Sequence, residues 1–358
     1  MGDKLENATF LCGDAEDKLS ELQSNSVQVC ITSPPYWGLR DYGERDQLGL
    51  EDSPHEYVKN LTQVFREVKR VLHPSGTFWL NIGDSYNGSG GTGTKPNLRP
   101  NQKEHGAPAT RFDGLKPKDK TLVPSRVALA LQEDGWWVRQ EIIFAKGISF
   151  CEDYSGTCMP ESVSDRCSTS HEKFYHLSKS KNYFYDIDAV RESYQSKKRD
   201  IDRAHVTGRG KQDYSTAFLG SDQRDKSGGY PFTNGGRNLR SVWTINPSQF
   251  KGAHFAVFPL DLVEPPVKAG SPSGGVCTEC KIPYRKVDGK WAKRCDCETD
   301  ETEPATILDP FMGAGTTGIA ALKHGRRFVG IDINDEYIEM AKNRIRKHEE
   351  VPLSHDWW

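Results

Sequence analysis

The chain has 358 residues, 48 Lys and Arg against 50 Asp and Glu, a formal net charge of -2 and nine cysteines. That length buries a full core as one large domain with an insertion or as two modest domains, which excludes fibrous and disordered classes. A mean hydropathy of -0.70, no long apolar run, and a start from Met1 to Leu11 without the basic and apolar regions of a signal peptide predict a cytoplasmic chain with no membrane partner. Cys12, Cys30 and Cys151 stand alone, which fits reduced thiols better than a secreted disulfide framework. The near-zero net charge gives no global pull toward nucleic acid, so any such affinity requires a local basic face.

Ala8 to Asp14 reads as a strand ending in a turn, followed by a helix from Ala15 to Leu22 and an apolar strand from Val27 to Thr32. That strand runs into Ser33-Pro34-Pro35-Tyr36-Trp37. Prolines lack the ladder donor, so the motif belongs on the loop at the carboxyl end of the strand, where open α/β sheets bind ligands. An amphipathic helix from about His55 to Leu72, closed by His73 to Gly76, and a strand from Thr77 to Ile82 come next. Residues 84–120, with the Gly-Ser-Thr run at Ser89 to Thr94, are too long and polar for a simple connection and read as a mobile loop or lid. A helix Ser125 to Glu133 and a strand Trp137 to Phe144 follow; Lys173 to Ser178 and Tyr183 to Tyr185 are strand-like runs that would pair antiparallel at one sheet edge. Residues 191–240 are polar, and Lys197, Lys198, Arg199, Arg203, Arg209, Lys211, Arg237 and Arg240 make them an insertion facing DNA or, equally in kind, an ordinary solvated loop.

Near the carboxyl terminus a strand Thr306 to Leu308 enters Asp309-Pro310-Phe311-Met312-Gly313-Ala314-Gly315-Thr316-Thr317, and a helix runs to about His324 with Gly325 as its cap. A strand Phe328 to Ile331 delivers Asp332, and a helix from Asp335 to about Lys347 covers the sheet. The alternation of strands and helices predicts an α/β fold with a doubly wound, mostly parallel sheet. Gly313 to Gly318 spells GxGxxG between strand and helix, with Asp332 where a ribose-binding acid is expected. The helix amino terminus and the Thr316 and Thr317 hydroxyls suit an anion, either a pyrophosphate or the carboxylate of a methionine moiety. The loop by itself does not separate a nicotinamide dinucleotide from S-adenosylmethionine, and a plain tight turn carries the same pattern.

Taken together, the Ser33 to Tyr36 motif and the Asp309 to Thr317 motif resemble those of the amino-directed (N4-cytosine or N6-adenine) DNA methyltransferases, and their order resembles the permuted β class of that family. Gly13-Asp14-Ala15, Pro160 to Arg166 and Gly252 to Pro259 add to the likeness. The resemblance implies a circularly permuted Rossmann-like methyltransferase fold with S-adenosylmethionine as cofactor and double-stranded DNA as partner. It implies that Asp309, Phe311, Gly313, Gly315, Thr316 and Thr317 surround the methionine part, that Asp332 holds the ribose hydroxyls and that Asp14 lies near the adenine. Ser33 and the Pro34 carbonyl would accept the two amine hydrogens, Pro35 would help hold them rigid, and Tyr36 would give a ring face to a base turned out of the duplex, with Trp37 extending that platform. No Pro-Cys dipeptide occurs, which argues against C5-cytosine chemistry, and Ser in first place resembles N4-cytosine enzymes more than N6-adenine ones. A restriction-modification setting, a cognate restriction endonuclease and a homodimer accompany that reading. The other readings are a nicotinamide-linked dehydrogenase, which leaves Ser33 to Tyr36 without a role, a non-catalytic DNA-binding protein, and an RNA or protein methyltransferase.

Cys277, Cys280, Cys295 and Cys297 flank a basic-aromatic stretch and resemble a zinc-ribbon tip, although the second pair is CxC. Such a ribbon is structural, because four thiolates close the coordination sphere, and Lys286, Lys290, Lys293 and Arg294 offer it a DNA contact. The alternative is reduced surface thiols. The expected domains are therefore a catalytic half at 1–190, a target-recognition insertion at 191–245, a cofactor-binding half at 246–273 and 305–350, and the ribbon at 274–304.

Overall fold

The computed structural model describes residues 5–39, 42–44, 47–88, 112–151, 154, 156–158, 161, 163–193, 236–247 and 257–350. The stretch Ser89 to Thr94, the basic residues Lys197, Lys198, Arg199, Arg203, Arg209 and Lys211, Pro160, and Gly252 to Ala256 lie outside the described residues. Contacts divide the chain into Ile187–Arg240 and a larger unit made of the remainder.

The strands of the larger unit are β1 (Ala8–Cys12), β2 (Val27–Thr32), β3 (Leu72–Ile82), β4 (Trp137–Ala145), β5 (His171–Ser178), β6 (Val242–Thr244), four short ones, β7 (Val276–Cys277), β8 (Arg285–Val287), β9 (Lys290–Ala292) and β10 (Thr302–Glu303), and then β11 (Thr306–Asp309) and β12 (Arg327–Asp332). Eight of them build the main sheet in the order β1-β12-β11-β2-β3-β5-β4-β6. All neighbouring pairs are parallel except β3–β5 and β4–β5, so β5 alone is reversed. The mostly parallel α/β sheet expected from the sequence is therefore present. The central strand β2 is buried along its whole length, as a parallel strand covered on both faces must be.

Three departures have physical causes. The expected antiparallel pairing holds for Lys173 to Ser178, but β5 sits one strand in from where an edge was expected, between β3 and β4, with Ile82 opposite Lys173 on one side and Ala145 opposite His171 on the other. Tyr183 to Tyr185 forms no strand; the Phe184 amide bonds the Ser75 carbonyl, and the Tyr183 and Tyr185 rings pack around His176. Residues 242–244, expected in the insertion, pair with β4 in the main sheet.

The helices cover both faces: α1 (Ala15–Ser20), α2 (Pro54–Val71), α3 (Val123–Glu133), α4 (Leu260–Gly270), α5 (Thr316–Lys323) and α6 (Asp335–Glu350). α2 starts where Ser53 accepts the Glu56 amide and Pro54 fills the first turn, a position that needs no donor. It buries Tyr57, Leu61, Val64, Phe65 and Val68 as one stripe. α4 carries Pro265 and Pro266 in its middle, which hid it from a reading by helix propensity. Its buried Leu262, Val263 and Val267 hold it against the sheet. Among the described residues, no helix is long and apolar enough to cross a membrane.

In the smaller unit, Glu192 pairs with Arg237 in a bridge and its carboxylate binds both Arg237 and Arg240. Two of the basic residues assigned to DNA thus meet an acid within that unit.

Candidate active site

The carboxyl ends of β1, β2, β11 and β12 converge on one cluster of loops. Its centre is Asp309, fully buried at the end of β11. Oδ1 accepts from Thr32 Oγ1 at 2.6 Å and from the Phe311 amide at 3.1 Å, and Oδ2 accepts from Thr317 Oγ1 at 2.7 Å. Asp309 therefore ties the residue preceding Ser33 to the glycine loop and to the first turn of α5. Burial pushes its carboxyl up to about 6, against the pull of the Thr32 and Thr317 hydroxyls.

Asp332 closes the neighbouring corner. Its carboxylate accepts from the Gly313 amide at 2.9 Å and the Asn334 amide at 3.0 Å, and its carbonyl accepts from the Gly13 amide. Burial pushes it also to about 6, partly offset by those amides, with the Glu44 charge adding to the rise. Asn334 caps α6 through Oδ1 and donates Nδ2 to Glu44 Oε1 at 2.9 Å. Glu44, which carries no sequence signal because it lies in no motif, thus joins the Asp332 corner. Asp14 stands one residue past Gly13, and its carboxylate caps α1 by accepting from Glu16 and Asp17 amides.

Thr317 donates its hydroxyl hydrogen to Asp309, and Thr316 accepts from Arg344, which also bonds the Ala314 carbonyl. The backbone amides at the amino end of α5 remain as the anion-directed groups. Two of the glycines serve packing. A Cβ at Gly315 would stand 2.8 Å from Ala341, and one at Gly318 2.8 Å from Ile345 and Phe328. Gly313 and Gly315 also hold positive φ of 48° and 74°, which L side chains rarely adopt.

Beside this lies the Ser33 motif. Ser33 Oγ donates to the Tyr36 hydroxyl at 3.2 Å, and that hydroxyl donates to Glu172 Oε2 at 2.9 Å. Asn81 Nδ2 donates to both Tyr36 and Glu172 at 2.8 Å, and Lys146 pairs with the other Glu172 oxygen. Because a carboxylate only accepts, this fixes the Asn81 amide and leaves its Oδ1 as a buried acceptor without a protein partner. The Tyr36 ring lies where a Cβ on Gly83 would come within 2.6 Å. Burial and the Glu172 charge push the Tyr36 hydroxyl well above its ordinary range. Buried Tyr57 donates to the Pro35 carbonyl at 2.7 Å and pins the loop from below. Glu172, Asn81, Lys146 and Tyr57 had no sequence signal, since each is brought in by strand register or helix packing.

Trp37 does not join the platform. It is 2% exposed, packs in the core and donates its indole N–H to the Glu51 carbonyl. Cys30 is likewise a core residue, and the Cys12 thiol donates to the Ile333 carbonyl. The four ribbon cysteines come together, with their sulfurs within 4.8 Å of one another.

The base of the 84–120 excursion is closed. Tyr86 bridges to Lys120, Asn87 and Ser85 exchange backbone bonds with 118–121, and Asp84 accepts from Thr121 and the Val123 amide.

A family model described as DNA methylase matches residues 27–343. The chain is 38% identical over 346 residues to the Type II methyltransferase M.Cfr9I of Citrobacter freundii, covering 96% of this chain and 89% of that one. It is 36% identical over 341 residues to the Type II methyltransferase M.SmaI of Serratia marcescens, covering 95% and 91%. Among solved structures, the PvuII DNA methyltransferase (cytosine-N4-specific) matches with a TM-score of 0.54 at 15% identity, over 96% and 91% of the two chains. A putative DNA modification methylase from Thermus thermophilus, complexed with S-adenosyl-L-methionine, matches with a TM-score of 0.50 at 20% identity, over 95% of each. The two structures speak to the fold.

Proposed function

The chain belongs to the DNA methylase family, and from that premise we propose that it methylates an exocyclic base amine in double-stranded DNA, with cytosine N4 the favoured target and adenine N6 the second reading. The observation that carries this is the Thr32–Asp309–Thr317 junction. It sets the amine-accepting motif and the glycine loop on adjacent strand ends, where a methyl donor and an amine can meet. Preference for cytosine is supported by Ser33 in the first motif position and by the name of the PvuII neighbour.

The cofactor is S-adenosylmethionine, which supplies an electrophilic methyl group on a sulfonium. The donor set fits it: a carboxylate at Asp332 beside the loop for ribose hydroxyls, and helix amides at α5 for a carboxylate. Asp309, Phe311, Gly313, Gly315, Thr316 and Thr317 shape the loop, and Asp14 lies at its β1 side.

An exocyclic amine is a weak nucleophile because its lone pair is delocalised into the ring. Ser33 gives its own hydrogen to Tyr36, so its oxygen lone pairs stay available for an amine hydrogen, and the Pro34 carbonyl takes the second. The relay from Ser33 through Tyr36 to Glu172 polarises that acceptor. It would also aim negative charge at an amine that becomes positive as the N–C bond forms and the S–C bond of the donor breaks, the surplus amine proton then passing to water. Pro35, fixed by Tyr57, keeps the geometry rigid. The Tyr36 ring offers a stacking face, since the amine is unreachable inside the duplex. Glu172, Asn81 and Lys146 are positioning residues acting through Tyr36.

A restriction endonuclease reading the same sequence, a cytoplasmic setting and a homodimer accompany the proposal. Incubation with methyl-labelled S-adenosylmethionine and equal masses of DNA, RNA and denatured protein tests it. Label should enter DNA alone and fall by about a hundredfold in Ser33→Ala, the scale for losing one polar group matched to developing charge. Label confined to RNA or protein would overturn it.

A further inference from the structure

Residues 274–304 hold the four short strands β7 to β10. β8 and β9 form a hairpin turned by Asp288 and Gly289, both at positive φ, the two-residue geometry that matches strand twist. β7 pairs with β10. This frame brings the sulfurs of Cys277, Cys280, Cys295 and Cys297 within 4.8 Å of one another. Four sulfurs around one zinc at about 2.3 Å stand roughly 3.8 Å apart, so small side-chain rotations close the set.

The backbone adds a second sign: the loop after Cys277 folds back on itself as a zinc-ribbon knuckle does, with the Cys277 amide bonded to the Ile282 carbonyl at 3.1 Å. Lys281, at a φ of 61°, returns its amide to the Cys277 carbonyl at 3.0 Å and completes the first knuckle. The CxC spacing still brings Cys295 and Cys297 into the four-sulfur set.

The ribbon is anchored to the amino ends of the central strands. Buried Gln28, at the start of β2, donates to the Lys281 carbonyl and accepts the Thr306 amide at 2.7 Å. Lys281 and Arg327 share the Glu303 carboxylate. From Gln28 to Ser33 the strand climbs about 16 Å, so the ribbon and the Ser33 loop occupy opposite ends of β2. Lys286 pairs with Asp186 and Lys293 with Asp300, which commits two of the four cations expected to touch DNA to neighbours in the protein.

We propose that Cys277, Cys280, Cys295 and Cys297 bind one structural zinc ion that braces the amino ends of β2 and β11, remote from the methyl-transfer site and without a DNA contact of its own. With four thiolates the coordination is closed and no water is activated there. The zinc site stands whichever base is methylated.

The test is metal analysis of the purified full-length protein, followed by replacement with cobalt. One zinc per chain, a cobalt spectrum of tetrahedral thiolate type, and loss of both in a Cys280→Ser, Cys297→Ser variant are expected. Release of zinc by a chelator with a thiol reagent should raise amide exchange in 276–304 and at the starts of β2 and β11. Lys290→Ala with Arg294→Ala should leave DNA affinity within about twofold and the salt slope unchanged. Wild-type protein without zinc that also fails to take up zinc or cobalt would overturn the site, as would iron in its place. Intact exchange protection at β2 and β11 after zinc release would overturn the brace. A reduced salt slope in the cation variant would overturn the absence of a DNA contact.

Discussion

Replacing Glu172 by Gln keeps the shape of the side chain but removes the charge that ends the Ser33–Tyr36 relay. Glu172 accepts from Tyr36 at 2.9 Å and from Asn81 at 2.8 Å, and its side chain is 17% exposed beside Lys146 at 27%. A hydrogen bond to a charged partner contributes about 1.5–3 kcal/mol, and partial exposure discounts the Lys146 pair toward the lower end. Gln retains one acceptor, so a loss of about 1.5–2.5 kcal/mol in transition-state stabilisation follows, or roughly 10- to 70-fold in kcat/KM. The assay is single-turnover methyl transfer to a cognate duplex, with cofactor affinity measured separately by titration. The loss should fall on the transfer rate, with cofactor Kd within about twofold. Tyr36→Phe removes the middle of the relay, and the double variant should be less impaired than the product of the single effects, with a coupling on the order of 1 kcal/mol. Full additivity, or a cofactor affinity that falls as much as the rate, would refute the relay.

Asp332 is held to about 6 by burial, and cofactor binding through the ribose hydroxyls needs its ionised form. Cofactor Kd should therefore be flat above about pH 7 and rise by up to roughly tenfold per unit below about pH 6, with Asp332→Ala abolishing the dependence; a flat profile in the wild type would contradict the assignment. Asp309 and Asp332 both have folded values above those of an unfolded Asp, so the folded chain binds these protons more tightly. Their joint contribution destabilises the cofactor-free protein as pH rises from about 4 to 6 and stays constant above. Thr32→Val removes the 2.6 Å donor to buried Asp309 and should lower the urea midpoint by an amount equivalent to about 1.5–3 kcal/mol at about pH 8, less at about pH 5. An unchanged midpoint at the higher pH would show that the Asp309 junction does not hold the two loops together. Tyr36→Ala should cost about 1–3 kcal/mol in kcat/KM through lost base stacking, and an equal loss of cofactor affinity would contradict the division of the site.

The two loops that make the site were legible because they are punctuated. Pro34 and Pro35 cannot continue a strand, and Gly313 and Gly315 mark positive φ, so both motifs fall at strand ends from local rules alone. Glu172, Asn81 and Lys146 were not, because they meet only when β5 inserts between β3 and β4, a register that no local pattern announces. Trp37 was misread through its adjacency to Tyr36, since the turn at Trp37 to Leu39 sends the indole into the core. The Thr317 hydroxyl had the right type for an anion, yet Asp309 takes its hydrogen. The helix amides thus remain, and they carry no sequence signal beyond the glycines before them.

Nuclease digestion of DNA methylated by the protein with isotopically labelled S-adenosylmethionine, followed by mass spectrometry of the nucleosides, tests the central claim most directly. The label should appear as N4-methylcytosine, with N6-methyladenine the outcome of the second reading and an exocyclic amine the acceptor in either. Label recovered as C5-methylcytosine, or no methylated nucleoside from protein that binds both cofactor and DNA, would contradict the account.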